Sequence, residues 1–471
     1  MSTYPDSLRG MRRIRRIHLI GIGGSGMSGI AEVLLNLGYD ITGSDLQDSQ
    51  TTRHLIQMGA TIKIGHSAEN IKGADVIVTS TAVKDDNPEV AQARLLRIPL
   101  VPRALMLGEL MRFRHGIAVA GTHGKTTTTS LLASILAEAG FDPTFVIGGL
   151  LNSAGANAKL GLGKYLVAEA DESDASFLHL QPMAAIVTNI DYDHMGTYGG
   201  DFEKLRQTFV DFLHNLPFYG LAVLCLDDPE VAALIPRIHR PILSYGSSDQ
   251  CDFQLLDIEA LGMQTRFQVK MPNGIISEFV VNLPGRHSVL NSLAAIAIAY
   301  DLGVPQPAMR RALQQFKGVG RRFQAHPDML LENGGRASIM DDYGHHPTEI
   351  KAVLSALQLA FPEKRIVLAF QPHRYSRTLE LFDDFANVLS NLDQLILTEV
   401  YAAGEKPILN ADGRALSRAI RARGKNEPIF VEKAIDIKAA FKNIAQDGDL
   451  LIMMGAGDIG GAALNFHKQE V

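Results

Sequence analysis

The chain has 471 residues, which at ~150 residues per domain means about three domains and more than one compact core usually holds. Lys and Arg total 45 against 51 Asp and Glu, a net charge of −6, without the basic surplus of a general nucleic-acid binder. With 46% hydrophobic and 20% charged residues the composition excludes a disordered chain, and no apolar run approaches the ~18 residues of a membrane span. The N-terminus is basic (Arg9, Arg12, Arg13, Arg15, Arg16), but the apolar run behind it, Ile17 to Ile20, is too short for the core of a signal peptide. Two cysteines, Cys225 and Cys251, are too few for a disulfide-stapled secreted protein and read as buried thiols, which favours the cytoplasm.

The 43 glycines punctuate the chain three times in the same way: an apolar strand ends, glycines follow, a helix begins. Such a junction is an anion site, because glycine lets the backbone approach while free N–H groups and the helix dipole favour phosphate. The first junction is Ile17–Ile20 followed by Gly21, Gly23, Gly24, Ser25 and Gly26 and a helix from Met27 to Leu37. A second strand, Asp40 to Ser44, leads to Asp45, about where a ribose hydroxyl is often held. Further strands at Thr61–Ile64 and Val76–Thr79 follow, the latter ending in Ser80 and Thr81, small polar residues at a strand's C-terminal edge. The first ~110 residues therefore read as a nucleotide-diphosphate or dinucleotide domain.

The second junction, Ile117–Ala120 followed by Gly121-Thr122-His123-Gly124-Lys125-Thr126-Thr127, is more specific. A lysine in a glycine turn at a helix N-terminus opposes the dipole unless an anion sits there. The turn is shorter than a full Walker loop, with Val119 at the place of its first glycine. An apolar strand, Tyr165 to Ala168, ends in Glu169-Ala170-Asp171-Glu172-Ser173-Asp174, and another, Ala185 to Ile190, ends in Asp191-Tyr192-Asp193-His194. Acids at strand tips suit a metal. Mg²⁺ prefers oxygen, so His194 is an unexpected ligand on chemistry alone.

A strand-rich stretch, Phe253 to Leu283, precedes an apolar helix, His287 to Leu302, in which His287 and Asn291 share a face. After a boundary near Gly318-Val319-Gly320, strands and helices alternate again at Ala337–Met340, Arg365–Phe370, Gln394–Val400, Pro428–Val431 and Leu450–Met454. Two strand ends there are rich in polar groups: Asp341-Asp342-Tyr343-Gly344-His345-His346-Pro347-Thr348-Glu349, and Gln371-Pro372-His373-Arg374-Tyr375-Ser376-Arg377. The third glycine junction, Gly455-Ala456-Gly457-Asp458-Ile459-Gly460, has no room for a further βαβ unit and reads as a structural turn.

Taken together, Gly121-Thr-His-Gly-Lys-Thr-Thr, Glu169-Ala-Asp-Glu-Ser-Asp, Thr188-Asn-Ile-Asp-Tyr-Asp-His-Met, His287-Ser-Val-Leu-Asn291, Gly320-Arg-Arg-Phe and Asp341-Asp-Tyr-Gly-His-His-Pro-Thr-Glu resemble the Mur ligases of peptidoglycan synthesis, in order and over nearly the whole chain. The resemblance implies an α/β fold of three domains: a Rossmann-like domain for a UDP-sugar (1–108), a central ATPase-type domain (109–318) and a C-terminal Rossmann-like domain for an amino acid (319–471). It implies UDP-N-acetylmuramate, ATP and L-alanine as substrates. It further implies two Mg²⁺ ions, with Mn²⁺ an alternative, and an acyl-phosphate route with Lys125, Glu169 and His194 as the catalytic set. Gly21, Gly23, Gly24, Ser25, Gly26, Ser44, Asp45, Ser80 and Thr81 would face the UDP-sugar. Gly121 to Thr127, Asn291, Arg322 and Asp342 would contact ATP; Thr126, Glu169 and His194 would hold metal; Tyr343, His345, Arg374 and Arg377 would frame the amino acid. Closure near residues 318–320 would exclude water. A murein-recycling ligase with the same sugar nucleotide and an NAD-dependent oxidoreductase built on the first glycine loop remain the alternatives.

Overall fold

A computed structural model describes residues 11–464 except 12, 81, 154 and 155. The chain forms two compact units: one of residues up to 257 with 268–279 and 290–316, the other of 258–267, 280–289 and 317 onward. Each is built on α/β layers. The first unit begins with a five-stranded parallel sheet of β1 (Arg16–Ile20), β2 (Asp40–Asp45), β3 (Thr61–Ile64), β4 (Val76–Thr79) and β5 (Leu100–Pro102), in the order β3-β2-β1-β4-β5. β1 is central and buried from Ile17 to Ile20, so its run lacks alternation, as a strand covered on both faces should. The order changes direction between β1 and β4, which is where ligands bind in open α/β sheets.

The second sheet contains β6 (His115–Ala120), β7 (Thr144–Leu151), β8 (Ala156–Lys159), β9 (Tyr165–Glu169), β10 (Ala184–Val187), β11 (Leu221–Cys225), β12 (Ile242–Gly246), β13 (Phe253–Leu261), β14 (Gln264–Lys270) and β15 (Ile276–Val281). Its order is β15-β14-β13-β12-β11-β10-β6-β9-β7-β8. β6 lies between β10 and β9, parallel to both. The glycine loop that follows β6 is therefore flanked by the two acidic strand tips. β8 turns back antiparallel on β7, a hairpin that the sequence pattern did not announce.

The second unit carries the third sheet, β16 (Gln324–Leu330), β17 (Arg336–Asp342), β18 (Ile366–Phe370), β19 (Gln394–Thr398), β20 (Ile429–Val431) and β21 (Leu450–Met454), in the order β16-β17-β21-β18-β19-β20. Only the edge strand β16 is antiparallel to its neighbour. β21 is buried over its whole length between β17 and β18, so the last apolar run closes the sheet at its centre. Among the described residues no helix is long and apolar enough to cross a membrane. Cys225 and Cys251 are free and buried.

Candidate active site

Helix Lys125–Glu138 starts at Gly124, whose φ of +83° is a left-handed cap that glycine adopts at no steric cost. Gly121 (φ +124°) is tighter still: an added Cβ would collide with Thr188 Oγ1 and lie 3.0 Å from the Asn189 carbonyl oxygen. Asn189 shapes the loop. Its carbonyl accepts from Thr122 N at 3.0 Å, its Oδ1 accepts from His123 N at 2.8 Å, and its Nδ2 donates to the His123 carbonyl at 3.0 Å. Thr188 Oγ1 donates to that same carbonyl at 2.6 Å. The His123 ring lies 3.0 Å from Asp191 Oδ2, and Thr127 stands half-buried in the helix's first turn. Asn291 packs against the loop: a Cβ on Gly124 would be 2.5 Å from its Oδ1.

Lys125 Nζ donates to the carbonyls of Gly121 (2.6 Å) and Thr122 (3.1 Å) and to both carboxylate oxygens of Glu172 (2.9 Å each). Burial works against the ammonium charge, but Glu172, Asp171 and Glu169 outweigh it and hold the lysine's pKa above its ordinary value. Glu172 is itself buried, which pushes its carboxyl up while Lys125 pulls it back. Thr126 Oγ1 donates to Glu169 Oε2 at 3.1 Å, and Gly148 N donates to Glu169 Oε1 at 2.6 Å. Burial raises the Glu169 pKa, against those two donors and Lys125. Thr126 and Glu169 thus present two oxygen donors side by side, the chemistry that fits Mg²⁺. His194 lies in the segment that follows β10, at φ +57°, with its N–H on Asp193 Oδ1 at 2.8 Å and its ring nitrogen 3.5 Å from Asp193 Oδ2.

In the first sheet, Gly21 (φ +74°) and Gly24 turn the chain into helix Ser25–Asn36. Gly23 N donates to Asp45 Oδ2 at 2.8 Å, and a Cβ there would press on that oxygen. Gly26 does something the motif did not suggest: it leaves room for the Arg103 guanidinium, which reaches Asp171 Oδ2 at 3.4 Å. Arg103 so links the first glycine loop's helix to the acidic tip of β9. Ser44 departs from the expected role of a ligand-facing hydroxyl, because it is fully buried and donates to Glu89. Ser80 follows β4 and is half-buried; Thr81 lies outside the described residues, and so does the side chain of Ser25.

In the second unit, Asp342 at the end of β17 accepts from Phe323 N at 3.0 Å and Gly344 N at 2.8 Å. Burial lifts its pKa to about 6, against Arg322. Arg322 stands 3.7 Å from Glu349 and over the Tyr343 ring at 5.2 Å. His345 N donates to Glu349 Oε2 at 2.9 Å, and its ring meets those of Tyr343 and His373 edge-on. His373 stacks on Tyr401 and contacts Arg377 at 3.4 Å. Arg377 is buried, whereas Arg374, at φ +70°, is exposed, so the two arginines do not form a matched surface pair. Burial, with Arg322, depresses His287 to about 4, leaving it a neutral ring stacked on Phe323. The third glycine junction is filled from inside: Arg321 donates to the carbonyls of Gly455 and Gly457.

A lysine-bearing glycine loop between two acidic strand tips, within serial α/β domains, defines a nucleotide-dependent enzyme. Three family models match the chain in order: "Mur ligase family, catalytic domain" over residues 16–115, "Mur ligase middle domain" over 119–299 and "Mur ligase, glutamate ligase domain" over 321–457. The chain is 60% identical over 432 residues to a UDP-N-acetylmuramate--L-alanine ligase of Halorhodospira halophila (92% of this chain, 89% of that one). It is 58% identical over 436 residues to the enzyme of that name from Methylobacillus flagellatus (92% of each). Among solved structures it superposes on a UDP-N-acetylmuramate-alanine ligase of Thermotoga maritima with TM-score 0.81 at 31% identity (96% and 98% covered). It superposes on a murein peptide ligase of Psychrobacter arcticus with TM-score 0.72 at 26% identity (96% and 98%). The chain belongs to the Mur ligase family, the three-domain α/β ligases of peptidoglycan precursor synthesis.

Proposed function

We propose that the chain joins L-alanine to the lactyl carboxylate of UDP-N-acetylmuramate at the expense of ATP, in the cytoplasm, through an acyl phosphate. The observation that carries the chemistry is the half-buried Lys125 beside the Thr126–Glu169 oxygen pair at one glycine loop. A carboxylate is a poor electrophile for an amine, so it must first be activated. Its oxygen attacks the γ-phosphorus of ATP and ADP leaves; the alanine nitrogen then attacks the acyl carbon, and the tetrahedral intermediate expels phosphate.

The first step brings two anions together. Lys125 supplies fixed positive charge there, and the loop N–H groups supply dipoles that need no reorganisation. Thr126 and Glu169 would hold one Mg²⁺, with Glu169 and His194 assigned to a second; such an ion neutralises developing phosphate charge. The first sheet's glycine loop with Asp45 would take the UDP-sugar, Asn291, Arg322 and Asp342 would contact ATP, and Tyr343, His345, Arg374 and Arg377 the amino acid. The domain limits 1–108, 109–318 and 319–471 belong to the same reading.

The test is ADP release in the presence of Mg²⁺, ATP and UDP-N-acetylmuramate, with L-alanine, glycine, L-serine or a tripeptide as acceptor and each component omitted in turn. Release that depends on L-alanine and on the sugar nucleotide supports the reading. Release driven by the tripeptide alone would make the chain a recycling ligase, the reading that the superposition on a murein peptide ligase keeps in play.

A further inference from the structure

A buried carboxylate outside the ATP site ties together the segments that leave the first sheet. Glu89 lies at the start of helix Pro88–Leu96 and is 0% exposed. Its Oε2 accepts from Ser44 Oγ at 2.6 Å and lies 3.3 Å from His18 Nε2; its Oε1 accepts from Asn70 Nδ2 at 2.6 Å and from Ser67 N at 3.2 Å. His18 and Ser44 are also fully buried. A first-turn acid ordinarily faces solvent and serves the helix dipole. One that is buried with this many donors has another job, since burying a charge is costly unless it is fully paired.

Ser44 is the joint. Its hydroxyl proton is committed to Glu89, so His66 Nδ1, 2.9 Å away, must be the donor to Ser44 Oγ. Its carbonyl accepts from Gly21 N at 2.8 Å and from Ile22 N at 3.1 Å. The next residue, Asp45, accepts from Gly23 N through its side chain and from Gly65 N through its carbonyl, both at 2.8 Å. The first glycine loop therefore hangs on Ser44 and Asp45, and Ser44 is held from beneath by Glu89.

We propose that Glu89 is the positioning residue of the sugar-nucleotide site: through Ser44 it sets the height and register of the Gly21–Gly24 loop, and through Ser67 and Asn70 it sets the loop after β3. The proposal rests on the assignment of the first domain to the UDP-sugar. Glu89 touches no substrate in this account.

The experiment compares wild type with Glu89→Gln, which keeps the shape but turns one acceptor edge into a donor, and with Ser44→Ala, which cuts the relay by a single atom. Titration calorimetry with UDP-N-acetylmuramate and no ATP, and separately with a non-hydrolysable ATP analogue, reads the two sites independently. Both variants are expected to lose at least tenfold in sugar-nucleotide affinity and less than twofold in affinity for the ATP analogue, and Glu89→Gln should raise the KM for the sugar nucleotide far more than it lowers kcat. A merely structural role would weaken both ligands together, in step with a loss of folded protein. Unchanged sugar-nucleotide affinity in either folded variant overturns the proposal. Failure of wild type to bind the sugar nucleotide overturns instead the substrate assignment beneath it.

Discussion

The two glycine loops of the first unit begin alike and are finished in opposite ways. After β1, the loop N–H of Gly23 is met by the protein's own anion, Asp45, and those of Gly21 and Ile22 by the carbonyl of Ser44, whose buried hydroxyl is backed by Glu89. After β6, the loop is laced by Asn189 and carries a cation, Lys125, whose counter-charge Glu172 sits below it. The same strand–glycine–helix turn thus closes on a carboxylate in one case and carries an ammonium in the other. On the proposed reading a triphosphate with its metal needs the second, because charge develops during phosphoryl transfer. A sugar nucleotide that is only held would need donors and a fixed register at the first.

The largest test of this contrast is Lys125→Ala. It should lower acceptor-dependent ADP release by 10³-fold or more while leaving sugar-nucleotide affinity near wild type. Normal turnover in the folded variant would remove the loop from the chemistry altogether.

Glu172→Gln asks what the lysine does before nucleotide arrives. Lys125 would keep its two carbonyl partners but lose a carboxylate buried to 2% exposure. Breaking a buried ion pair from one side costs about 3 kcal/mol, read as a lower urea midpoint for the nucleotide-free protein. Added ATP analogue and Mg²⁺ should recover more stability in the variant than in wild type, since phosphate then replaces the missing charge. Equal stability of variant and wild type without nucleotide would mean that the pair does not hold the loop.

Glu89 gives a pH-dependent counterpart at the first loop. Burial pushes its carboxyl up, but His18, Ser44 and Asn70 together bring it down to about 2. A carboxyl held below its unfolded value stabilises the fold above that value, near 4.5, and the contribution disappears as pH falls towards 2. At neutral pH it amounts to at most about 3 kcal/mol. Wild type should therefore exceed Glu89→Gln in urea midpoint at pH 7, and the gap should narrow steadily below pH ~4.5. A gap independent of pH would assign the effect to packing instead of charge.

Much of this was legible in the chain. The sheet strands end where apolar runs meet glycine or acids, so β1, β6, β9 and β21 fall where the punctuation puts them. Gly121 to Thr127 announces its chemistry by residue type alone. The partners were hidden because they are set by turns rather than by periodicity. The run from Glu169 to Asp174 offers four acids, and only the path of the chain after β9 decides that Glu169 meets Thr126 while Glu172 meets Lys125. Asn189 looked like part of a strand, and nothing in the pattern around Glu89, one residue after a helix-starting proline, marks it as buried. Arg103 had no motif around it, and its role appears only because Gly26 leaves it space.

The smallest effect sharpens the comparison most directly, through alanine at corresponding glycines. Gly21 and Gly121 each follow a central strand and each has a positive φ, +74° and +124°. At Gly21 an added Cβ meets nothing within 4 Å, so Gly21→Ala should cost only the left-handed strain of an L-residue, about 1 kcal/mol. At Gly121 the Cβ meets Thr188 and the Asn189 backbone, so overpacking adds to the strain and Gly121→Ala should cost about 3 kcal/mol. Urea midpoints of the two variants, with the ATP analogue's affinity as a second readout, check the difference. Two equal losses would show that both loops give way as easily, and that the β6 loop owes its shape to the bound nucleotide and not to the lacing by Asn189.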